Sequence, residues 1–126
     1  MSDISPTIFR AYDVRGTYPD QLNRGVVEAL GQAIGTFAQD RGQSTVVTAR
    51  DGRLSGPDLQ DALNQGLIRS GVDVIDVGMV PTPVLYFAAL TLGTGSGVMV
   101  TGSHNPPDYN GFKMMINGHT LSGDEI

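Results

Sequence analysis

The sequence predicts an α/β domain in which a mixed, mostly parallel β-sheet is packed between α-helices. Short β-branched runs alternate along the chain with stretches whose apolar residues recur at helical spacing. Glycine, proline or asparagine stands at most of the boundaries between them. Because neighbouring strands joined through helices pair in parallel, we expect a mostly parallel sheet, with an antiparallel hairpin near the carboxyl end.

The first third of the chain predicts a strand, a helix and a second strand. Residues 7–14 (TIFRAYDV) form an extended opening segment that ends at Gly16. Asn23 suits an N-cap and Gly42 a helix stop. Between them, apolar residues fall on one helical face, at positions 26, 27, 30, 34, 37 and 38. Residues 44–49 (STVVTA) are β-branched and short, as in a buried strand.

The middle of the chain predicts two further helices on either side of a strand. Pro57 suits the first position of a helix with an apolar stripe, and Gly71 suits its stop. Residues 72–78 (VDVIDVG) alternate apolar and acidic side chains, which indicates a strand with one better-buried face. Thr82 and Pro83 suit the cap and the first turn of the next helix.

The last third predicts two strands and a hairpin turn. The runs GVMVTG (97–102) and GFKMMI (111–116) are typical of strands, and Asn117-Gly118 is a strong hairpin signal. The glycine-dense GTGSG (93–97) precedes a strand rather than following one, so it predicts a loop and not a dinucleotide site.

Composition limits the classes of function. A chain of 126 residues has the length of one domain, residues 1–126, and its hydrophobic content of 40% is that of a folded protein. The net charge of -5 argues against nucleic-acid binding, and the absence of cysteine excludes disulfides, thiolate metal sites and cysteine catalysis. The sequence has neither a signal-peptide pattern nor a membrane-spanning run, so we expect a cytoplasmic protein without membrane partners.

The segment VMVTGSHNPPDYNGFKMMI, residues 98–116, carries the most chemistry. Ser103 follows a predicted parallel strand, and open α/β sheets bind ligands at the carboxyl ends of their strands. The G-x-S-x-G elbow of hydrolases is absent, and a direct relay with the adjacent His104 is disfavoured in extended chain. We therefore expect Ser103 to carry a phosphoryl group, with Lys113, the single lysine of the chain, as a point charge. Alternatively, Ser103, His104 and Asn105 only satisfy the backbone of a loop.

Four motifs carry a family resemblance. TGSHNPPDYNGFK (101–113) closely resembles the phosphoserine loop of the α-D-phosphohexomutases. FRAYDVRG (9–16), ARDGRLSG (49–56) and DVGMVPTPVLYFA (76–88) also match that family, in the right order. The resemblance covers nearly the whole chain and is strongest to the bacterial phosphomannomutase/phosphoglucomutase branch. It implies the fold of the first domain of these enzymes.

The resemblance also implies site residues. Ser103 would be the phosphoserine, His104 and Lys113 its polar neighbours, and Arg15 and Tyr12 part of the same cleft. The implied catalytic residues are Ser103, His104, Lys113 and Arg15. The implied substrate-binding residues are Tyr12, Arg15, Asn105 and Lys113. For Tyr12, packing within a strand is an equally good interpretation.

The loop residues Arg50, Asp51 and Arg53 belong to another matching motif. We interpret them as an ion-pair network that shapes their own loop.

The family reaction interconverts hexose 1-phosphate and hexose 6-phosphate, with glucose or mannose as the sugar. The phosphoserine gives its phosphoryl group to the sugar phosphate, the bisphosphorylated intermediate reorients, and its other phosphate returns to the serine. The resemblance implies Mg²⁺ on the phosphate of Ser103, with its other ligands outside this chain. It also implies hexose 1,6-bisphosphate as an activator.

Enzymes of this family have four domains, and this chain matches the first. The metal-binding aspartate loop and the sugar-recognition loops belong to the other three. We therefore expect the remaining domains of the same enzyme as partners, and little or no turnover by this domain alone. A capping-box pattern at residues 122–125 (SGDE) also suggests a longer protein. A phosphoglucosamine mutase domain and a non-catalytic phosphate-binding module remain as alternatives.

Overall fold

The computed structural model describes residues 14–18, 21–53, 55–92, 94–101 and 109–120, with the backbone alone at positions 14, 15, 109, 119 and 120. The helices are α1 (Arg24–Asp40), α2 (Gly56–Ser70) and α3 (Thr82–Thr91). The strands are β1 (Val14–Thr17), β2 (Thr45–Arg50), β3 (Asp73–Met79), β4 (Gly97–Val100), β5 (Tyr109–Ile116) and β6 (His119–Thr120). None of the helices in these ranges has the length and apolar character to cross a membrane.

The six strands form one sheet in the order β1-β5-β4-β2-β3, and β6 pairs with β5. β2 pairs in parallel with both β3 and β4, whereas β5 is antiparallel to β1, β4 and β6. Five strands therefore run one way and β5 alone runs the other, which confirms a mixed sheet in which most strands share one direction. β5 is reversed because its connection to β4 is shorter than the crossover that a parallel pair needs.

Successive residues of each central strand point to opposite faces of the sheet. Val98, Phe112 and their alternate neighbours pack in one core cluster with α1 and α2. Met99 and Met115 pack in a second cluster with the buried side of α3. The sheet thus lies between helices, as predicted.

The two helices of the first face cross at glycines. A methyl group at Gly31 would lie 2.6 Å from the carbonyl oxygen of Leu63, and one at Gly66 would overlap the carbonyl oxygen of Glu28. The backbones of α1 and α2 therefore approach more closely than any larger side chain would permit.

The predicted helix ends and the hairpin turn are largely confirmed. Asn23 caps α1 by accepting a hydrogen bond of 3.0 Å from the N–H of Val26, and Gly42, just after the helix, has φ of 77°. Gly71 ends α2 in the left-handed region. Asn117 and Gly118 both have positive φ, as a type I′ turn between β5 and β6 requires.

Two element boundaries differ from the predictions. Gly16 does not end the first strand; it lies inside β1, paired with Asn110, while residues 7–13 lie outside the described ranges. The N-cap of α3 is the extended Pro81 rather than Thr82, which already has helical geometry. The burial of β3, the edge strand beside β2, is as predicted: Val74 and Gly78 on one face are half-buried, whereas Asp73 and Ile75 on the other face are exposed.

Candidate active site

The carboxyl ends of β2 and β4 lie side by side at one edge of the sheet. The register pairs Arg50 with Val100, the last residues of the two strands. β5 runs in the opposite direction and begins at this edge, and the N–H of Thr101 donates to the carbonyl oxygen of Gly111 at 2.9 Å. Thr101 and Tyr109, the described residues on either side of segment 102–108, therefore lie where α/β sheets bind ligands.

Four of the predicted site residues lie outside the described ranges. These are Tyr12, Ser103, His104 and Asn105. Their roles stay predictions. For Arg15 the structure describes the backbone, which pairs in β1 with Gly111 of β5.

Lys113 is the predicted site residue whose side chain is described. It lies on β5 opposite Met99 of β4 and is half-buried. In sequence it stands two residues after Gly111, whose carbonyl group holds the N–H of Thr101. Lys113 is thus fixed close to the end of the segment that contains Ser103.

Most of the other described basic side chains are neutralised by carboxylates. Arg24 contacts Asp58 and Asp61, each at 2.7 Å, and the hydrogen bonds to these carboxylates raise the pKa of Arg24. The negative charge of Asp58 also raises the pKa of Tyr18, whose hydroxyl donates to it at 3.2 Å. These groups pair with each other across α1 and α2.

The remaining described arginines also have partners. Arg69 pairs with Glu28 at 3.1 Å, and the guanidinium of Arg41 lies 3.4 Å from the ring centre of Phe37. Arg53 lies 3.8 Å from the carboxylate of Asp51.

Arg50 does not join the predicted ion-pair network. Within the described ranges it makes no ion pair with Asp51, and it donates a hydrogen bond of 2.9 Å to Oε1 of the buried Gln60. The amide group of Gln60 donates in turn to Thr48 of β2 and to Asp76 of β3. Arg50 is therefore used to fasten α2 to the sheet.

Lys113 differs from all of these cations. Within the described ranges its ammonium group makes no hydrogen bond, ion pair or ring contact. An anion close to this ammonium group would meet a cation that no described side chain neutralises.

The structure also brings in residues that sequence reasoning missed. Thr101 donates from its hydroxyl to Asp51 at 2.9 Å, and Asn110 donates from its side chain to Ser55, also at 2.9 Å. In the sequence, the one feature that points to these residues is that they are polar and stand near strand ends in the matching motifs. Nothing in the spacing indicates that these pairs meet.

The resemblance places magnesium on the phosphate of Ser103, which lies outside the described ranges. No group of three histidine, aspartate or glutamate residues in these ranges lies close enough together to hold a metal ion. The magnesium site therefore stays a prediction.

Comparisons with known proteins identify close relatives. Residues 6–126 match the family model described as phosphoglucomutase/phosphomannomutase, alpha/beta/alpha domain I. The chain is 51% identical over its whole length to a phosphoglucomutase of Neisseria meningitidis, of which it covers 27%. It is 56% identical over 95% of its length to a phosphomannomutase/phosphoglucomutase of Pseudomonas aeruginosa, of which it covers 26%.

The fold is also that of solved relatives. A phosphoglucomutase/phosphomannomutase family protein from Burkholderia thailandensis matches with a TM-score of 0.92 and 53% identity, over 98% of this chain and 29% of that one. The chain thus spans about a quarter of the length of the curated relatives it matches. By sequence and by fold, this chain belongs to the phosphoglucomutase/phosphomannomutase family and corresponds to its domain I.

Proposed function

We propose that this chain is the phosphoserine-bearing domain of a phosphomannomutase/phosphoglucomutase. The enzyme interconverts the 1-phosphate and 6-phosphate of glucose or mannose through a bisphosphorylated sugar. Relatives with the names phosphoglucomutase and phosphomannomutase/phosphoglucomutase support the reaction class. Ser103 is the residue proposed to carry the phosphoryl group.

The observation that carries the proposal is the unpaired ammonium of Lys113. Five described arginines are engaged, whereas Lys113 is half-buried and makes no polar contact with described residues. A phosphoserine adds a charge of about -1.5 to -2 and three strong acceptor oxygens. A phosphoryl group on Ser103 would supply the anion that Lys113 lacks, because the segment containing Ser103 ends where β5 begins.

In the proposed reaction a hydroxyl oxygen of the sugar phosphate attacks the phosphorus on Ser103. The bond from phosphorus to the serine oxygen breaks as the bond to the sugar oxygen forms, and the hydroxyl proton is transferred to the serine oxygen. The bisphosphorylated sugar then turns around, and its other phosphoryl group returns to Ser103 by the reverse step. Lys113 stabilises the negative charge on the transferring oxygens, and Arg15 and His104 are proposed to assist it.

We further propose that this domain is part of a longer enzyme, because the relatives that it matches are longer. The matched proteins are nearly four times as long as this chain, which covers 26–27% of them. The remaining polypeptide would supply the metal site and the sugar-binding loops, and hexose 1,6-bisphosphate would charge Ser103. The 126-residue chain by itself should have little turnover, and turnover near that of the long enzyme would contradict this.

The test uses the full-length enzyme that contains this domain. Incubation with glucose 1,6-bisphosphate should add one phosphate, mapped to Ser103 by mass spectrometry, and Ser103→Ala should abolish mutase activity. Lys113→Met should lower kcat on the order of 100-fold, because it removes charge stabilisation of the transferring group. Arg69→Met, which removes a cation paired with Glu28 on the surface, should leave kcat within about twofold.

Each of these measurements tests a different part of the proposal. Full activity in Ser103→Ala would reject the phosphoserine assignment, and full activity in Lys113→Met would reject the role of the lysine. Assays with glucose, mannose and glucosamine 1-phosphate then identify the sugar. Phosphate uptake without mutase activity on any of them would indicate a phosphate-binding module instead.

A further inference from the structure

Two described residues that flank segment 102–108, Thr101 and Asn110, are both bonded to a single neighbouring loop. This loop, the β2–α2 loop, comprises residues 51–55, of which Leu54 lies outside the described ranges. At the first end, the hydroxyl of Thr101 donates to Oδ2 of Asp51 at 2.9 Å, and the N–H of Asp51 donates to the carbonyl oxygen of Val100 at 3.0 Å. The carboxyl terminus of β4 is therefore held through side chain and backbone.

At the second end, the contact is buried. Asn110 has no exposed surface, and its side-chain amide donates to Oγ of Ser55 at 2.9 Å. Ser55 occupies the N-cap position of α2, where a serine oxygen commonly accepts a hydrogen bond from the helix backbone. It makes no such capping bond here. The hydroxyl is used for a tertiary contact at the expense of a local one.

The β2–α2 loop is itself fixed. Oδ1 of Asp51 accepts a hydrogen bond of 3.2 Å from the N–H of Arg53, and the side chain of Arg53 lies 3.8 Å from Oδ2. The strands on either side of the segment are also joined to each other by the hydrogen bond from the N–H of Thr101 to the carbonyl oxygen of Gly111. The ends of these two strands and the β2–α2 loop thus form one bonded unit.

We propose that Asp51 and Ser55 are positioning residues for the phosphoryl transfer, because they fix Thr101 and Asn110, which flank segment 102–108. The inference rests on the proposed function, because it assigns the purpose of these bonds to the transfer from Ser103. Phosphoryl transfer depends mostly on placing the attacking oxygen, phosphorus and leaving oxygen in line. Neither residue is proposed to touch the substrate. They act through Thr101 and Asn110.

The experiment removes each bond separately in the full-length enzyme. Thr101→Val deletes the donor to Asp51 without changing side-chain size, and Ser55→Ala deletes the acceptor for Asn110. Each should lower kcat by about tenfold or more while KM changes less than about twofold, since misplacement of reacting groups affects the chemical step. Thr101→Ser and Ser55→Thr retain the hydroxyl and should recover most of kcat. Thr36→Val deletes an exposed hydroxyl on α1 and is the matched control.

The midpoint of thermal unfolding of each variant shows whether a loss of kcat comes from misplaced reacting groups or from loss of the folded state. The proposal is overturned if Thr101→Val and Ser55→Ala keep kcat within about twofold of the parent at a temperature where all variants are folded. It is also overturned if Thr101→Ser and Ser55→Thr, which retain the hydroxyl, lose as much kcat as Thr101→Val and Ser55→Ala. If one deletion does not fold, the other decides. Inactivity of the parent enzyme, or full activity of Ser103→Ala, would instead reject the proposed function itself.

Discussion

The helices on the two faces of the sheet differ in the side chains that they expose to solvent. α1 and α2 interlock at Gly31 and Gly66 and enclose the larger core cluster. Their outer surfaces carry the ion pairs of Arg24 and Arg69. α3 covers the other face with two fully buried residues, Leu85 and Ala89.

The outward side of α3 is apolar. Its sequence TPVLYFAALT contains no charged residue, and Phe87 and Leu90 are 69% and 61% exposed. Val84 on the same helix is exposed as well. A helix that is apolar on all sides is typical of one buried in a larger protein. Apolar composition alone therefore does not tell which side chains stabilise this domain, because those on the outside of α3 stay in water.

The largest difference in stability between the two faces should appear when one leucine on each face is replaced by alanine. Leu63 on α2 is fully buried, and Leu63→Ala should lower the free energy of unfolding by about 3 kcal/mol. Leu90→Ala on α3 removes the same atoms from an exposed side chain and should change it by less than about 0.5 kcal/mol. Urea denaturation of the 126-residue chain measures the free energy of unfolding of both variants. Equal losses of this free energy would show that the outer side of α3 stabilises the domain as much as the buried side of α2.

A somewhat smaller effect should follow from crowding the α1–α2 crossing. Gly66→Ala places a methyl group against the carbonyl oxygen of Glu28 and should destabilise the domain by about 2 kcal/mol, because the two backbones must move apart. Gly25→Ala, at an exposed position in the first turns of α1, is the control and should be neutral or slightly stabilising. A neutral Gly66→Ala would show that the helices can shift without loss.

The smallest change in stability, and the most specific for α3, should come from making its outer side polar. The double variant Phe87→Ser with Leu90→Ser should lower the fluorescence of a dye that binds apolar surface, while the free energy of unfolding falls by no more than about 1 kcal/mol through helix propensity. Ile68→Ser, at an exposed apolar position on α2, should leave the dye signal nearly unchanged. Unchanged dye binding by the double variant would show that the outer side of α3 is not the binding surface.

Local sequence signals predicted most of the fold. Helical spacing, the Asn23 cap and glycines at helix ends depend on nearest neighbours in the chain, and each of these is found in the structure. Segments without such a local signal were less predictable. The strand at Gly16 continues because Asn110 on β5 pairs with it, and that partner is distant in sequence.

The candidate site shows the same limit. The motifs drew attention to Lys113 and to the β2–α2 loop, but they also suggested that Arg50 would pair with an acid. The guanidinium instead reaches Gln60 on α2, a contact created when the helix packs on the sheet. Likewise, Thr101 and Asp51 are far apart in the chain and meet because their strands are neighbours.

By itself, the sequence determined the alternation of strands and helices, the turn at Asn117-Gly118 and the motif order that marks the family. These depend on backbone preferences and side-chain periodicity within short windows. Only the tertiary structure decided which cations are paired, which apolar side chains stay in water and which loop holds the ends of segment 102–108. Those outcomes depend on long-range contacts, because hydrogen bonds and burial are set by elements that come together only when the sheet forms.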